Sequence, residues 1–164
     1  MNYCNNVPLN YEEVGSRDDK ENWQKAITEE LESLYENKTW DLVPLPAGVN
    51  PIKCKWVFSL KYDGEGKITR YKVRLVIKGC AQKQGINYND TYAPVARLSS
   101  LRVLLSIVNK FDMHLHQLDV KNAFLNGLLR EEIFLVPSAG ISLKPNVVCK
   151  LNRTLYGLKQ SPLV

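Results

Sequence analysis

Two periods of hydrophobic and polar positions run through the chain. Trp23, Ile27, Leu31 and Leu34 recur at steps of four, four and three, which predicts an amphipathic helix over about 18–36 whose stripe is core packing. Leu101, Leu104, Leu105 and Val108 do the same over about 99–111 and predict a second helix with these four on its buried face. Between the helices the period drops to two. Ile52, Cys54, Trp56, Phe58, Leu60 and Tyr62 alternate with Lys53, Lys55, Val57, Ser59 and Lys61, and Tyr71, Val73, Leu75 and Ile77 alternate with Arg70, Lys72, Arg74, Val76 and Lys78. Side chains alternate faces along a strand, so each set shares one face. Asp63-Gly64-Glu65-Gly66 joins the two runs with hairpin-turn chemistry. Shorter strands are expected at 39–43, 132–136 and 147–151, and an apolar strand at 113–118 closes on Asp119. Residues 1–16 are polar and aperiodic and read as a leader. Pro44, Pro46, Gly48 and Pro51 break the chain, and 79–97 and 137–146 are irregular. The pattern predicts an α+β fold of antiparallel strands with packed helices.

Composition changes this little. With 45% hydrophobic and 24% charged residues, the 164-residue chain has the make-up of a globular protein able to form a core. No apolar run approaches the ~18–20 residues that span a bilayer, and the N-terminus lacks the basic start and apolar middle of a signal peptide. An intracellular protein with no membrane partner is expected. Cys4, Cys54, Cys80 and Cys149 form no Cys-x-x-Cys pair, so all four read as ordinary thiols.

Charge adds more. The net charge is +5, but the acids and bases are segregated. Residues 1–36 hold nine acids against three bases, and 53–83 hold nine bases against Asp63 and Glu65. Such a local excess is the footprint of a polyanion partner, set against a merely solvated basic face. Arg70, Lys72, Arg74 and Lys78 project one way from their strand over about 26 Å, at ~3.3 Å per residue. A row of this kind contacts phosphates, or it protects an edge strand from aggregation.

Leu118-Asp119-Val120-Lys121-Asn122-Ala123-Phe124-Leu125-Asn126-Gly127 sets a carboxylate at a strand end before a turn with an aromatic and a glycine. Such a carboxylate is a ligand for a hard cation such as magnesium or a cap on the following turn. His114 and His116 share a face of the preceding strand, but two imidazoles without a third nitrogen or sulfur ligand are weak grounds for a zinc site.

The blocks then line up. Thr39-Trp40 with Leu42-Val43-Pro44 comes first, followed by Lys55-Trp56-Val57-Phe58, Arg70 to Val76 and Lys78-Gly79. Gln82, Gly85 and Tyr88 come next, and Thr91 to Arg97, Leu118 to Gly127 and Leu155 to Pro162 complete the series. Over about 22–162 the chain resembles the reverse transcriptase of Ty1/copia-type retrotransposons, part of a Pol polyprotein. The resemblance implies a right-hand polymerase, here only fingers and the start of the palm, with the thumb absent. Fingers would cover 17–88 after the 1–16 leader, the palm would begin over 89–127, and 128–164 would return to the fingers and a truncated finger-palm segment. It implies an RNA template, a DNA primer, deoxynucleoside triphosphates and the rest of the polyprotein as partners. The setting implied is cytoplasmic or a virus-like particle, with a nuclear location open.

The resemblance also implies roles. Asp119 is the first catalytic carboxylate, binding Mg2+ (or Mn2+) with help from the Val120 carbonyl. Lys72 and Arg74 hold the triphosphate, and Arg70 and Lys78 contact nucleic acid. Asn122 and Ala123 lie under triphosphate and sugar. Phe124 is the wall that excludes a 2′-hydroxyl. Tyr156, Gly157, Lys159 and Gln160 lie against nucleotide and template. Two-metal phosphoryl transfer explains the residue types, since it needs carboxylates for the cations and bases for the phosphates.

Departures are equally specific. The family's Tyr-x-Asp-Asp motif is absent: Asp18-Asp19 is the only Asp-Asp pair in the sequence, far upstream of Asp119. Ile77 and Cys80 stand where small and aromatic residues are usual, 134–140 is altered, and Leu163-Val164 replaces the usual continuation after Ser161-Pro162. One aspartate does not hold two magnesium ions, so the chain is expected to be inactive alone, as a truncated or decaying genomic copy or a fragmentary gene model. A non-catalytic nucleic-acid-binding remnant that uses the basic hairpin is the alternative.

Overall fold

The computed structural model describes residues 7–93, 95–120, 122–141 and 143–163. Cys4, Pro94, Lys121 and Val164, quoted above in the motifs, the thiols and the chain end, lie outside them.

The longest helix and the longest hairpin form the centre. α2 (Lys20–Glu36) and the strands β2 (Ile52–Tyr62) and β3 (Ile68–Ile77) match the periodicity within a few residues. Asp63 sets the turn, its Oδ1 accepting from the backbone N–H of Glu65 at 3.0 Å and of Lys67 at 2.8 Å. The strands pair antiparallel with Trp56 opposite Leu75 and Phe58 opposite Val73, so one face is apolar throughout. Trp23 of α2, with no solvent exposure, anchors on that face. Its ring meets Phe58 edge-on at 5.5 Å and Tyr71 at 4.8 Å.

Five strands make one sheet in the order β1-β5-β4-β2-β3, with β1 at Trp40–Pro44, β4 at Phe134–Val136 and β5 at Val147–Leu151. The fold is α+β as expected, but the sheet is mixed rather than antiparallel. β4 runs parallel to β2, pairing Ile52 with Leu135 and Lys53 with Val136. Side-chain alternation is the same in both directions, so the sequence pattern carries no sign of it.

Three further expectations change. Residues 1–16 are not wholly an unstructured leader. Asn10 caps a single turn, α1 (Tyr11–Val14), by accepting from Glu13 N at 2.9 Å, and Val14 is buried. One turn is too short to show a period. The second long helix, α3 (Leu98–Lys110), is where the spacing puts it, but the face read as buried is not buried. Leu101, Leu104 and Leu105 are 48%, 52% and 41% exposed. Lastly, 113–120 forms no strand, and His114 and His116 therefore share no strand face. A strand exists only through a neighbouring ladder, and none of the five described strands pairs with this segment. No described helix is long and apolar enough to cross a membrane.

Cys54 and Cys149 are buried and Cys80 is exposed; all three are free thiols. Burial pushes the Cys54 thiol up to about 12 and Cys149 to about 11, which leaves both uncharged and unreactive at neutral pH.

Candidate functional site

β3 is an edge strand, and its residues Arg70 to Arg74 line a cleft of about 570 Å³ beside it. Arg70, Lys72 and Arg74 come from β3; Asp119, Val120, Asn122 and Ala123 come from the segment after α3; Tyr156 comes from the chain's last turns. Eight of the residues expected from the sequence to serve one site thus line one cleft, although up to 86 positions separate them.

The bases are held where they repel one another. Lys61 stands directly opposite Arg70, and Ser59 opposite Lys72. Like charges across a ladder are unfavourable. Burial first, then Arg74, Arg70 and Lys61, pull the Lys72 ammonium below its ordinary range. A site that crowds cations in this way is improved by an anion. The Arg74 guanidinium is fixed by stacking 4.7 Å over the Tyr156 ring, which meets Phe124 edge-on at 4.9 Å. Arg74, Tyr156 and Phe124 thus form one continuous stack, although Phe124 itself does not line the cleft.

The segment carrying Asn122 is anchored locally. Asn122 takes the left-handed conformation at φ 55°, which asparagine tolerates better than most residues. Its Nδ2 donates to Ser33 Oγ of α2 at 2.5 Å. A 3-10 turn over Ala123–Asn126 follows and buries Leu125. Thr154 Oγ1 donates to the Phe124 carbonyl, tying this turn to the segment that bears Tyr156.

Two glycines seat Tyr156. Gly157 has φ +92°, and a Cβ there would lie 2.2 Å from the Ile77 carbonyl oxygen; one on Gly79 would lie 2.1 Å from the Gly157 carbonyl oxygen. This close approach lets Ile77 N donate to Tyr156 O at 2.8 Å, continuing β3 into the site.

The remaining expected residues lie elsewhere. Lys78 follows the end of β3, so it leaves the row of bases and does not line the cleft. Lys159 turns away, its Nζ 3.2 Å from the Tyr88 hydroxyl and 4.8 Å from that ring's centre. Gln160 is 1% exposed and lines no part of the cleft. Gly157 lines no part of the cleft either; Asp119 does line it, but from an exposed irregular segment rather than from a strand end.

The opposite wall of the cleft was not foreseen. Glu29, Glu30, Glu32 and Glu36 of α2 face the bases of β3. Glu30 Oε1 accepts from Leu75 N at 3.2 Å and so satisfies a backbone donor of the edge strand. Burial raises the Glu30 carboxyl above its ordinary range, against the opposing pull of that hydrogen bond and of Arg74 and Lys72. The excess of acids on this helix is the sequence signal for the wall, whereas its apolar stripe speaks only for packing.

The oxygen donors fit only part of a metal centre. Asp119 and Val120 both line the cleft. Among the described residues no three His, Cys, Asp or Glu side chains gather in a cluster able to hold a metal ion. A two-metal centre needs carboxylates gathered around both ions, and Asp119 forms no such group with the glutamates of the opposite wall, so the described residues do not build it.

A basic strand, an aspartate segment and the turn that bears Tyr156 converge on one cleft. The chain belongs to the reverse transcriptase (RNA-dependent DNA polymerase) family, whose model matches residues 37–164. Its relatives include the retrovirus-related Pol polyprotein from transposon TNT 1-94 of Nicotiana tabacum, 49% identical over 94% of this chain and 12% of that protein. The Pol polyprotein from transposon RE1 of Arabidopsis thaliana is 42% identical over 87% of this chain and 10% of that protein. An uncharacterized mitochondrial protein of Arabidopsis thaliana is 43% identical over 56% of this chain and 54% of its own length. The chain thus spans about a tenth of the polyproteins it matches. No solved structure matches.

Proposed function

We propose that the chain is the fingers and the start of the palm of a retrotransposon reverse transcriptase, and that its cleft is the triphosphate-binding half of the polymerase site. The observation that carries this is the convergence of Lys72, Arg74, Asp119, Asn122 and Tyr156 on one cleft. Lys72 and Arg74 grip the phosphates of a deoxynucleoside triphosphate, Arg74 in the fixed orientation its stacking on Tyr156 gives it. Asn122 and Ala123 lie beneath phosphates and sugar, and Phe124, braced by Tyr156, is the wall against a 2′-hydroxyl. Asp119 with the Val120 carbonyl contributes one edge of a magnesium site. The chain alone does not complete that centre, so it binds nucleotide and does not polymerise.

The test is a titration of the full chain with magnesium–dTTP, beside Lys72→Ala/Arg74→Ala. Each charge-assisted contact is worth about 1.5–3 kcal/mol, so the double variant should bind at least a hundredfold more weakly. Equal affinity for both proteins would remove the cleft from nucleotide binding. Primer extension on an RNA template should give no product with either.

A second reading has its own observation. Lys53, Lys55 and Lys61 of β2 are exposed on the same face of the hairpin as Arg70, which extends the basic surface well past the cleft. RNA or DNA binding through that surface predicts an affinity that falls steeply with salt. The triphosphate variants should then flatten the salt slope.

A further inference from the structure

We infer that Gln82 and Gln160 form an amide clasp that positions Tyr156, and through it Arg74, so that Gln160 serves the site from inside the protein and not by touching nucleotide. The inference rests on the reading of the cleft given under Proposed function.

Both side chains are buried, Gln82 at 5% and Gln160 at 1% exposure. Burying a primary amide is unfavourable unless its donors and acceptor are used. Here they are used in one direction. Lys159 N donates to Gln82 Oε1 at 2.8 Å, Gln82 Nε2 donates to Gln160 Oε1 at 3.0 Å, and Gln160 Nε2 donates to the Asn87 carbonyl at 2.9 Å. The backbone fixes both amide orientations. A flipped Gln82 would set its NH2 against the Lys159 N–H, and a flipped Gln160 would set its oxygen against the Asn87 carbonyl. The chain of bonds runs from the segment that follows Tyr156-Gly157 to the loop that follows β3.

Geometry links the clasp to the cleft. Gly157 lies against the Ile77 carbonyl with no room for a side chain, and Ile77 N donates to Tyr156 O. Tyr156 is therefore held from two sides, by the end of β3 and by the clasp three to four residues further on. Its ring in turn carries Arg74 at 4.7 Å and Phe124 at 4.9 Å. Loosening the clasp moves the platform on which Arg74 lies while leaving Lys72 and Arg74 themselves intact.

The test uses the full chain, with magnesium–dTTP as probe and amide hydrogen exchange as a second measurement. Gln82→Met keeps side-chain length and removes both amide bonds. It should weaken dTTP binding about tenfold, the scale of one lost buried hydrogen-bond partner. It should also speed exchange at the Lys159 and Ile77 amides, shift the Tyr156 ring resonances, and leave exchange at the β2–β3 core unchanged. Gln160→Met should do the same, and the double variant should add little, since the pair acts as a unit. Gln82→Glu keeps an acceptor for Lys159 N–H and should restore protection there, while the donor to Gln160 Oε1 stays lost. It also serves if Gln82→Met does not fold. Unchanged dTTP affinity in a folded Gln82→Met protein would overturn the positioning role. If the parent chain itself binds no dTTP, the cleft reading fails, and the exchange data still decide the clasp. Faster exchange confined to Lys159 and Ile77 with shifted Tyr156 resonances upholds it, and an unchanged pattern refutes it.

Discussion

The β2–β3 hairpin with α2 and the segment from α3 to Asp119 are written in the same alphabet and end up in different states. On the hairpin every second residue is apolar, and α2 covers that face through Trp23, which is fully buried. On α3 the apolar residues wrap roughly half the circumference at 3.6 residues per turn, yet Leu98, Leu101, Leu104 and Leu105 remain 41–63% exposed. Leu118 beside the aspartate is 91% exposed. The difference teaches that periodicity reports which face is made for burial, while a covering partner decides whether burial happens. For the hairpin that partner lies about 30 residues upstream; for α3 no described element supplies it.

Substitutions can break or sharpen this contrast. The largest effect should come from Trp23→Ala, which removes the aromatic that holds α2 on the hairpin and should cost about 3–5 kcal/mol in chemical denaturation. Leu104→Ala on α3 is the counterpart and should cost under about 0.5 kcal/mol, as expected of an exposed position. A large loss at Leu104 would mean that α3 is covered in solution. Next comes Gly157→Ala. The φ of +92° alone costs a side chain about 1–3 kcal/mol, and the clash with the Ile77 carbonyl adds to it. The turn should detach from β3, with loss of dTTP binding and of protection at the Ile77 amide.

Glu30→Gln should have the smallest effect, and its sign is fixed. Burial raises the Glu30 carboxyl in the folded chain, so the folded state holds this proton more tightly than the unfolded state. The stability that proton provides is present below the ordinary carboxylate range and is lost as pH rises through the raised value. The substituted amide would stay neutral at every pH, and its oxygen would still accept from Leu75 N–H. The variant should therefore be slightly more stable than the parent at neutral pH and equal to it in acid, as read from thermal midpoints across pH. A variant less stable at neutral pH would mean that attraction to Arg74 and Lys72 outweighs burial.

What the sequence made legible follows the same division. The hairpin, its Asp63 turn, α2 and β5 were readable because local alternation and turn chemistry set them. The direction of β4 was not readable, because parallel and antiparallel strands alternate alike. The strand expected at 113–118 was readable as apolar but not as unpaired. For the site, the motif blocks named eight of the cleft's residues in advance. They missed its acidic wall, since an apolar stripe on α2 drew the reading to packing. They also gave no hint that Gln82 and Gln160 pair, because a bond across 78 positions leaves no local trace.

The central claim is that the polar face of β3 and the Asp119 segment form one triphosphate site. Titrating the isotopically labelled full chain with magnesium–dTTP and following backbone and side-chain resonances tests it most directly. The account predicts saturable shifts at Lys72, Arg74, Asn122, Ala123 and Tyr156, with little change at Lys53 and Lys55 on the far part of the basic face. Shifts confined to Lys53, Lys55 and Lys61, or none at saturating nucleotide, would contradict it.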